Sequence, residues 1–266
     1  MRKLAELSST DDLQSIPAEK VVEGLGQMGF KNTWLHEEEQ FFVSGGEGQE
    51  WGVSDKGELE SVMVGDCKYE SRGYERNITS IGLEKLKSLF LTQYPETGTQ
   101  VVKAYQIDFA SMDSARPGIS AFINDIKFAF GADEIYRLER KERKRKCFRY
   151  VMDQPNPWDV SQGAHHALDL LFLFGGPFDY SSDEAAMRVS EDMREKWVSF
   201  VCGESPWNEE RIIAWGPDGG TGFVDEGELK ERRVGCFEEI RRIGWERLQP
   251  LVTRLVEARG IVEEAY

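Results

Sequence analysis

Two adjacent histidines, His165 and His166, stand just before a dense apolar segment, Leu168 to Phe174, and follow a proline-containing loop, Gln154 to Asp159. Histidine titrates near neutral pH, which suits it to proton transfer in catalysis. Catalytic groups tend to lie on loops held by rigid elements, and the apolar segment can hold this loop against a core. The alternative is that both histidines are structural loop residues, which is the more frequent role of a single histidine.

Acids that could orient a histidine follow a short β-branched segment, Glu60 to Gly65, whose apolar composition and terminal glycine predict a buried parallel strand. Asp66 and Glu70 come after this segment. A second strand, Cys147 to Met152, is predicted before the histidine loop. Catalytic groups of α/β enzymes lie beyond the carboxyl ends of parallel strands, so both acids are candidates. A solvated loop position is the alternative for each.

The histidine segment resembles the motif Gly-x-x-His-x-x-(Asp/Glu)-(Leu/Ile)-x-Phe-x-Phe-Gly of the type-B carboxylesterase and cholinesterase family. The matching residues are Gly163, His166, Asp169, Leu170, Phe172, Phe174 and Gly175. In this register the resemblance gives His166 the catalytic place and makes His165 its neighbour. The sequence His-His-Ala-Leu-Asp-Leu-Leu-Phe in this segment is most similar to that of fungal members of the family.

The acid-bearing strand of this family ends in Gly-x-x-x-(Asp)-Glu-Gly, and the segment that starts at Gly65 keeps the spacing from glycine to glutamate. The resemblance therefore implies that Glu70 is the acid of a Ser-Glu-His triad. Tyr69 and Ser71 depart from the pattern, and Asp66 stays as the competing acid.

The family resemblance implies an α/β fold, namely the C-terminal portion of an α/β-hydrolase with a mostly parallel sheet flanked by helices. It also implies a carboxylic-ester hydrolase acting on a small-molecule ester. In that reaction a serine attacks the ester, a histidine takes its proton and an acid fixes the imidazole tautomer. The order along the chain is serine, acid, histidine, which Glu70 and His166 keep.

The serine of such a triad is missing from the sequence. It should lie upstream of Glu70 in a Gly-x-Ser-x-Gly elbow, and Val43-Ser44-Gly-Gly is the nearest approach to one. The N-terminal half of the family's domain, with its nucleophile elbow, is thus expected to be absent. Three situations stay open: a piece of an esterase, one half of a split enzyme, and a non-catalytic binding or scaffold module or truncated pseudoenzyme. Half of a sheet would expose a strand edge, so association through that edge is expected.

Composition limits the partners and the cellular setting. The 266 residues carry a net charge of −15, which argues against a nucleic-acid partner. No apolar segment approaches the roughly 18 residues that span a bilayer. No signal peptide is visible, so a cytoplasmic protein is expected, or a secreted one if the true N-terminus is missing.

Four widely spaced cysteines favour free thiols, and neither a metal nor a cofactor is expected. The lack of repeats and linkers predicts one domain over residues 1–266.

Apolar spacing predicts several helices around the strands. The predicted segments are residues 83–90, 119–130, a helix opened by a capping box at Ser181 to Glu184, and a last helix from Arg233 to Ala258. Two short strands are predicted at Arg211 to Trp215 and Gly222 to Asp225. The basic run Arg137 to Lys146 is predicted to be a solvated helix end, because Glu139 and Glu142 interrupt it.

Overall fold

The computed structural model describes residues 60–175, 182–225, 227–229 and 236–257. In this part of the chain, helical segments separate the first three strands, and the fourth strand follows the third without one. The strands are β1 (Ser61–Cys67), β2 (Lys146–Met152), β3 (Ile212–Trp215) and β4 (Thr221–Val224). The helices are α1 (Glu75–Ile81), α2 (Leu83–Ser88), α3 (Pro95–Ala104), α4 (Met112–Asn124), α5 (Phe130–Arg137), α6 (Leu168–Phe174), α7 (Glu184–Val201), α8 (Phe237–Ile243) and α9 (Trp245–Glu257). The four strands lie where the sequence predicts them, although β1 continues to Cys67.

The sheet has the strand order β1-β2-β3-β4, and its first three strands are parallel while β4 is antiparallel to β3. Parallel neighbours need a long crossover between them, and helical segments make up both crossovers. β2 lies between β1 and β3 and is buried from Cys147 to Met152. The predicted architecture, a mostly parallel sheet flanked by helices, is therefore confirmed.

Alternating residues of the strands face two different helical layers. Phe148, Tyr150 and Trp215 pack with residues of α6 and α7 on one face. Cys147 and Val151 face the other side, with Tyr136 of α5. A third apolar cluster lies among the helices, and the apolar stripe predicted at residues 119–130 is buried in it. The stripe therefore packs as core, as apolar helical stripes usually do.

Two helix boundaries differ from the sequence-based expectation. The last helix is divided into α8 and α9 at Gly244, whose φ of 95° interrupts the helix and favours glycine. The capping box expected at Ser181 to Glu184 would make Ser181 the N-cap of α7, whereas the structure has Asp183 there, and its carboxylate accepts a hydrogen bond from the Ala186 N–H at 2.9 Å. Ser181 lies outside the described residues, as does the start of the last helix at Arg233.

The basic run is not simply a solvated helix end, so that prediction is wrong for Glu139. This side chain is fully buried and forms ion pairs with Arg143 at 3.0 Å and Arg145 at 3.3 Å. A buried carboxylate needs such partners because burial of an unpaired charge is costly. The alternation of acid and base along the run therefore builds a partly buried ion cluster immediately before β2.

Some expectations concern the chain as a whole. In the described ranges, no helix combines the length and hydropathy that a bilayer crossing requires. All four cysteines are free thiols. The prediction of one domain over residues 1–266 stays a prediction, because residues 1–59 lie outside the described part of the chain.

Candidate active site

The segments that follow β1 and β2 continue side by side beyond the ends of the strands. The Lys68 N–H donates to the Met152 carbonyl at 3.0 Å, and the Tyr69 N–H donates to the Ala164 carbonyl at 2.8 Å. Tyr69 and His165 then form a further parallel bridge. Between these contacts residues 153–163 loop out from the β2 side, whereas Lys68 alone separates Cys67 from Tyr69. The next residue on each side is a candidate: Glu70 on one and His166 on the other.

Glu70 is held in place by both oxygens of its carboxylate. Its Oε1 accepts a hydrogen bond from the Cys67 N–H at 2.8 Å, and its Oε2 lies 2.6 Å from Nδ1 of His166. Glu70 begins a short 3₁₀ helix, Glu70–Tyr74, and is only 7% exposed. The turn directly after β1 thus points a buried and fully hydrogen-bonded carboxylate at the histidine.

The side chain of His166 is largely exposed, although contacts with neighbouring residues hold its ring in place. The ring packs on Phe128 with 5.2 Å between centroids, yet the side chain is 64% exposed. Because the carboxylate of Glu70 accepts, Nδ1 carries the proton and donates, which leaves the lone pair of Nε2 as the basic site. Among the described residues Nε2 has no hydrogen-bond partner. This is the tautomer that a general base requires.

The electrostatic surroundings of His166 favour its charged form. The hydrogen bond from Nδ1 to Glu70 raises the pKa of His166, and the negative charges of Glu70 and Asp169 act in the same direction. Partial burial of the ring works against them. Asp169 is itself held by the Tyr150 hydroxyl, which donates to its carboxylate at 2.8 Å. An imidazolium formed at this position is therefore stabilised by nearby carboxylates.

Asp66, the competing acid, has a different partner. It lies inside β1 and not beyond it, and its carboxylate forms an ion pair with the guanidinium of Arg149 on β2. Both side chains are 1% exposed. The structure therefore brings Glu70 to the histidine, whereas Asp66 belongs to a buried ion pair of the sheet.

Backbone conformation shapes the histidine loop at two residues. Gly163 has a φ of 61°, and a Cβ there would lie 2.5 Å from Cδ2 of Tyr69, so this position needs glycine. Ala167, directly after His166, also has a left-handed φ of 60° and is the N-cap of α6. That conformation is unusual for a residue with a Cβ. The turn into α6 redirects the chain immediately after the histidine.

The sequence does not single out two residues that contact the histidine pair. Asn156 lies 3.0 Å from His165 through its side-chain amide, and Phe128 packs on the ring of His166. Asn156 sits between two prolines, and Phe128 lies in the apolar segment 119–130 but outside its buried stripe, so neither carries a distinct sequence signal. In the described residues there is no group of three metal-ligating side chains.

The chain is similar in sequence to known proteins. The sequence profile of the carboxylesterase family matches residues 51–221. Lipase 3 of Yarrowia lipolytica is 22% identical over 192 residues, which are 70% of this chain and 36% of that protein.

Two solved structures are similar as well. EstA of Aspergillus niger matches with a TM-score of 0.53 and 16% identity over 72% of this chain and 40% of its own. Juvenile hormone esterase from Manduca sexta, solved with OTFP covalently attached, gives a TM-score of 0.49 and 14% identity over 68% and 41%. The chain thus spans well under half the length of these relatives. The likeness to EstA shows a partial α/β-hydrolase fold.

Proposed function

Because the chain belongs to the carboxylesterase family, we propose that it supplies the acid and the histidine of a Ser-Glu-His triad that hydrolyses small-molecule carboxylic esters. Glu70 fixes the tautomer of His166 and stabilises its imidazolium. His166 acts first as the general base toward the serine and then as the general acid toward the leaving alcohol. The observation that carries the proposal is the 2.6 Å contact between Oε2 of Glu70 and Nδ1 of His166.

The serine and the oxyanion hole come from a separate segment or chain in this proposal. A serine hydroxyl must approach Nε2 of His166 to within about 2.6–3.2 Å for proton transfer. The exposure of the histidine side chain leaves room for that approach. Without the nucleophile the chain has no acyl acceptor, so we expect no turnover from it alone.

The experiment supplies the missing half. The full chain is mixed or coexpressed with the N-terminal portion of a related carboxylesterase that contains a Gly-x-Ser-x-Gly elbow, and hydrolysis of short acyl esters is measured. We expect turnover from the complex that His166→Ala abolishes. Glu70→Gln should lower this turnover, and Glu75→Gln is its matched control, since Glu75 pairs with Arg72 and not with the histidine. A complex that forms and stays inactive, or activity that survives His166→Ala, would contradict the assignment.

We also infer that the complementing half adds its strands to the sheet at the edge of β1, on the side away from β2. In the described part of the chain β1 pairs with β2 alone, and Ser61–Gly65 are only half-buried although Val62, Met63 and Val64 are apolar. An unpaired apolar edge favours association. With its sheet completed in this way, residues 1–266 act as one domain. Light scattering of the chain with and without the complementing half tests this inference. A monomeric chain that shows no association with that half would contradict it.

A non-catalytic binding or scaffold module is the second candidate. The observation that favours it is that no serine of the sequence lies in a Gly-x-Ser-x-Gly frame. Such a module binds a specific partner with defined stoichiometry and does not depend on its histidine. Unchanged partner affinity in His166→Ala, together with an inactive complemented complex, would support this candidate over the hydrolase.

A further inference from the structure

The side-chain amide of Asn156 has a defined orientation at the neck of the histidine loop, where the backbones of Asn156 and Gly163 are hydrogen-bonded. Its Oδ1 accepts hydrogen bonds from the backbone N–H groups of Trp158 at 2.9 Å and Asp159 at 3.3 Å. Since the oxygen faces two donors, the other end of the amide is the NH₂ group. That nitrogen, Nδ2, lies 3.0 Å from Nε2 of His165. An amide nitrogen only donates, so Nε2 of His165 must accept.

The second ring nitrogen of His165 is then fixed as a donor. Its Nδ1 lies 3.0 Å from the carbonyl oxygen of His166, which can only accept. Both contacts are satisfied by one form of the ring, the neutral imidazole with its proton on Nδ1. Any form with a proton on Nε2 would direct an N–H at the NH₂ group of Asn156. The ring of His165 therefore bridges the neck of the loop and the backbone of its neighbour.

The backbone held by this bridge is the one that aims His166. The His166 carbonyl precedes Ala167, whose φ is 60°, so the orientation of this peptide sets the turn into α6. The loop neck is closed by the Asn156 N–H, which donates to the Gly163 carbonyl at 3.1 Å. A hydrogen bond of 2.6 Å between His166 and Glu70 requires both the ring and the backbone behind it to stay in place.

We propose that His165 is a positioning residue, whose imidazole joins Asn156 to the backbone carbonyl of His166 and thereby keeps the His166 ring on Glu70. The inference rests on the proposed function for the role of His166. The positioning itself can be measured in the chain alone, without turnover. Failure of the positioning and failure of ester hydrolysis in the complemented complex are therefore separate results.

The test is an imidazole NMR spectrum of the ¹⁵N-labelled full chain. The proton on Nδ1 of His166, shared with Glu70, gives a downfield resonance that is assigned by its loss in His166→Gln. His165→Leu removes both contacts of the ring, and we expect the resonance to be lost or moved upfield. His165→Asn places an amide N–H where Nδ1 stood, so it keeps the contact with the His166 carbonyl and loses the one with Asn156, and the resonance should move part of the way back toward its wild-type position. Val160→Ala, at an exposed position of the same loop, is the matched control and should leave it unchanged.

The outcomes decide the proposal in either direction. An unchanged His166 resonance in a folded His165→Leu chain overturns the proposal, and so does a His165→Asn resonance that does not move back toward its wild-type position. Amide resonances of β2 and β3 report whether the variant is folded. If His165→Leu unfolds the chain, Asn156→Asp decides, because it keeps the ring and the oxygen that accepts from the Trp158 and Asp159 N–H groups, and removes only the N–H donor to the ring. A shifted or lost His166 signal in that variant supports the role, and an unchanged one overturns it.

Discussion

Tyr69 lies opposite His165 in a parallel bridge beyond the ends of β1 and β2, so the next residue of each segment belongs to the acid–histidine pair. The bridge extends the strand register past Cys67 and Met152. The segment after β1 reaches the bridge directly, whereas the segment after β2 reaches it only after the loop of residues 153–163. The pair is therefore built from sheet register, and it does not depend on the flexible reach of two loops. The following predictions test that arrangement and the elements that support it.

Glu70→Gln should lower the pKa of His166 toward its ordinary value. The hydrogen bond to the Glu70 carboxylate is the largest cause that raises this pKa, and a neutral amide removes its charge. NMR titration of the His166 ring measures the change. Glu75→Gln is the control and should leave the titration in place. A His166 pKa that is the same in wild type and Glu70→Gln would show that the carboxylate does not act on the ring.

The contribution of the Glu70–His166 pair to stability should be greatest in acid. Since the folded-state pKa of His166 is raised, the added stability is fully present below the unfolded-state value, near 6.5, and is lost as the pH rises through the folded-state value. Because the ring is exposed, solvent screening limits the contribution of the pair to the free energy of unfolding. Urea unfolding of wild type and His166→Gln at several pH values measures it. The difference between the two should shrink as pH rises, and a constant or growing difference would contradict the sign.

Asp66→Asn should destabilise the chain strongly. It leaves the buried guanidinium of Arg149 without its carboxylate, and the loss of one partner of a buried ion pair costs about 3–5 kcal/mol. Denaturant unfolding gives the free energy. Asp113→Asn is the matched control, because its pair with Arg116 is exposed and should be worth less than about 1 kcal/mol. Similar effects of the two substitutions would mean that Asp66 and Arg149 are not a buried pair.

Gly163→Ala should disturb the histidine loop through two separate effects. The left-handed backbone disfavours alanine by about 1 kcal/mol, and the new Cβ would clash with the ring of Tyr69. Gly203→Ala separates these effects, since Gly203 also has a positive φ but open space around it. Thermal unfolding should show a larger loss for Gly163→Ala than for Gly203→Ala. Equal losses would mean that the contact with Tyr69 does not constrain the loop.

Much of the architecture follows from local sequence. β-branched segments between loops predict β1 and β2, and apolar residues at helical spacing predict the buried stripe of α4 and the segment after it. These signals are local because strand and helix periods are properties of neighbouring residues. The histidine motif similarly identified the carboxylesterase family, which the match over residues 51–221 confirms.

Contacts between distant segments decided what the sequence left open. Apart from the family motif, which favours Glu70, Asp66 and Glu70 are equivalent as acids near the end of a strand. The length of β1 and the turn at Glu70 make one the member of a buried ion pair and the other the partner of His166. The sequence predicts that Glu139 is solvated, whereas the fold buries it between Arg143 and Arg145. The role of Asn156 depends on loop closure that no local pattern encodes. The sequence by itself determined the strands, the helical stripes and the histidine motif. The tertiary structure decided which carboxylate meets the imidazole, because that choice depends on parallel register across a helical crossover.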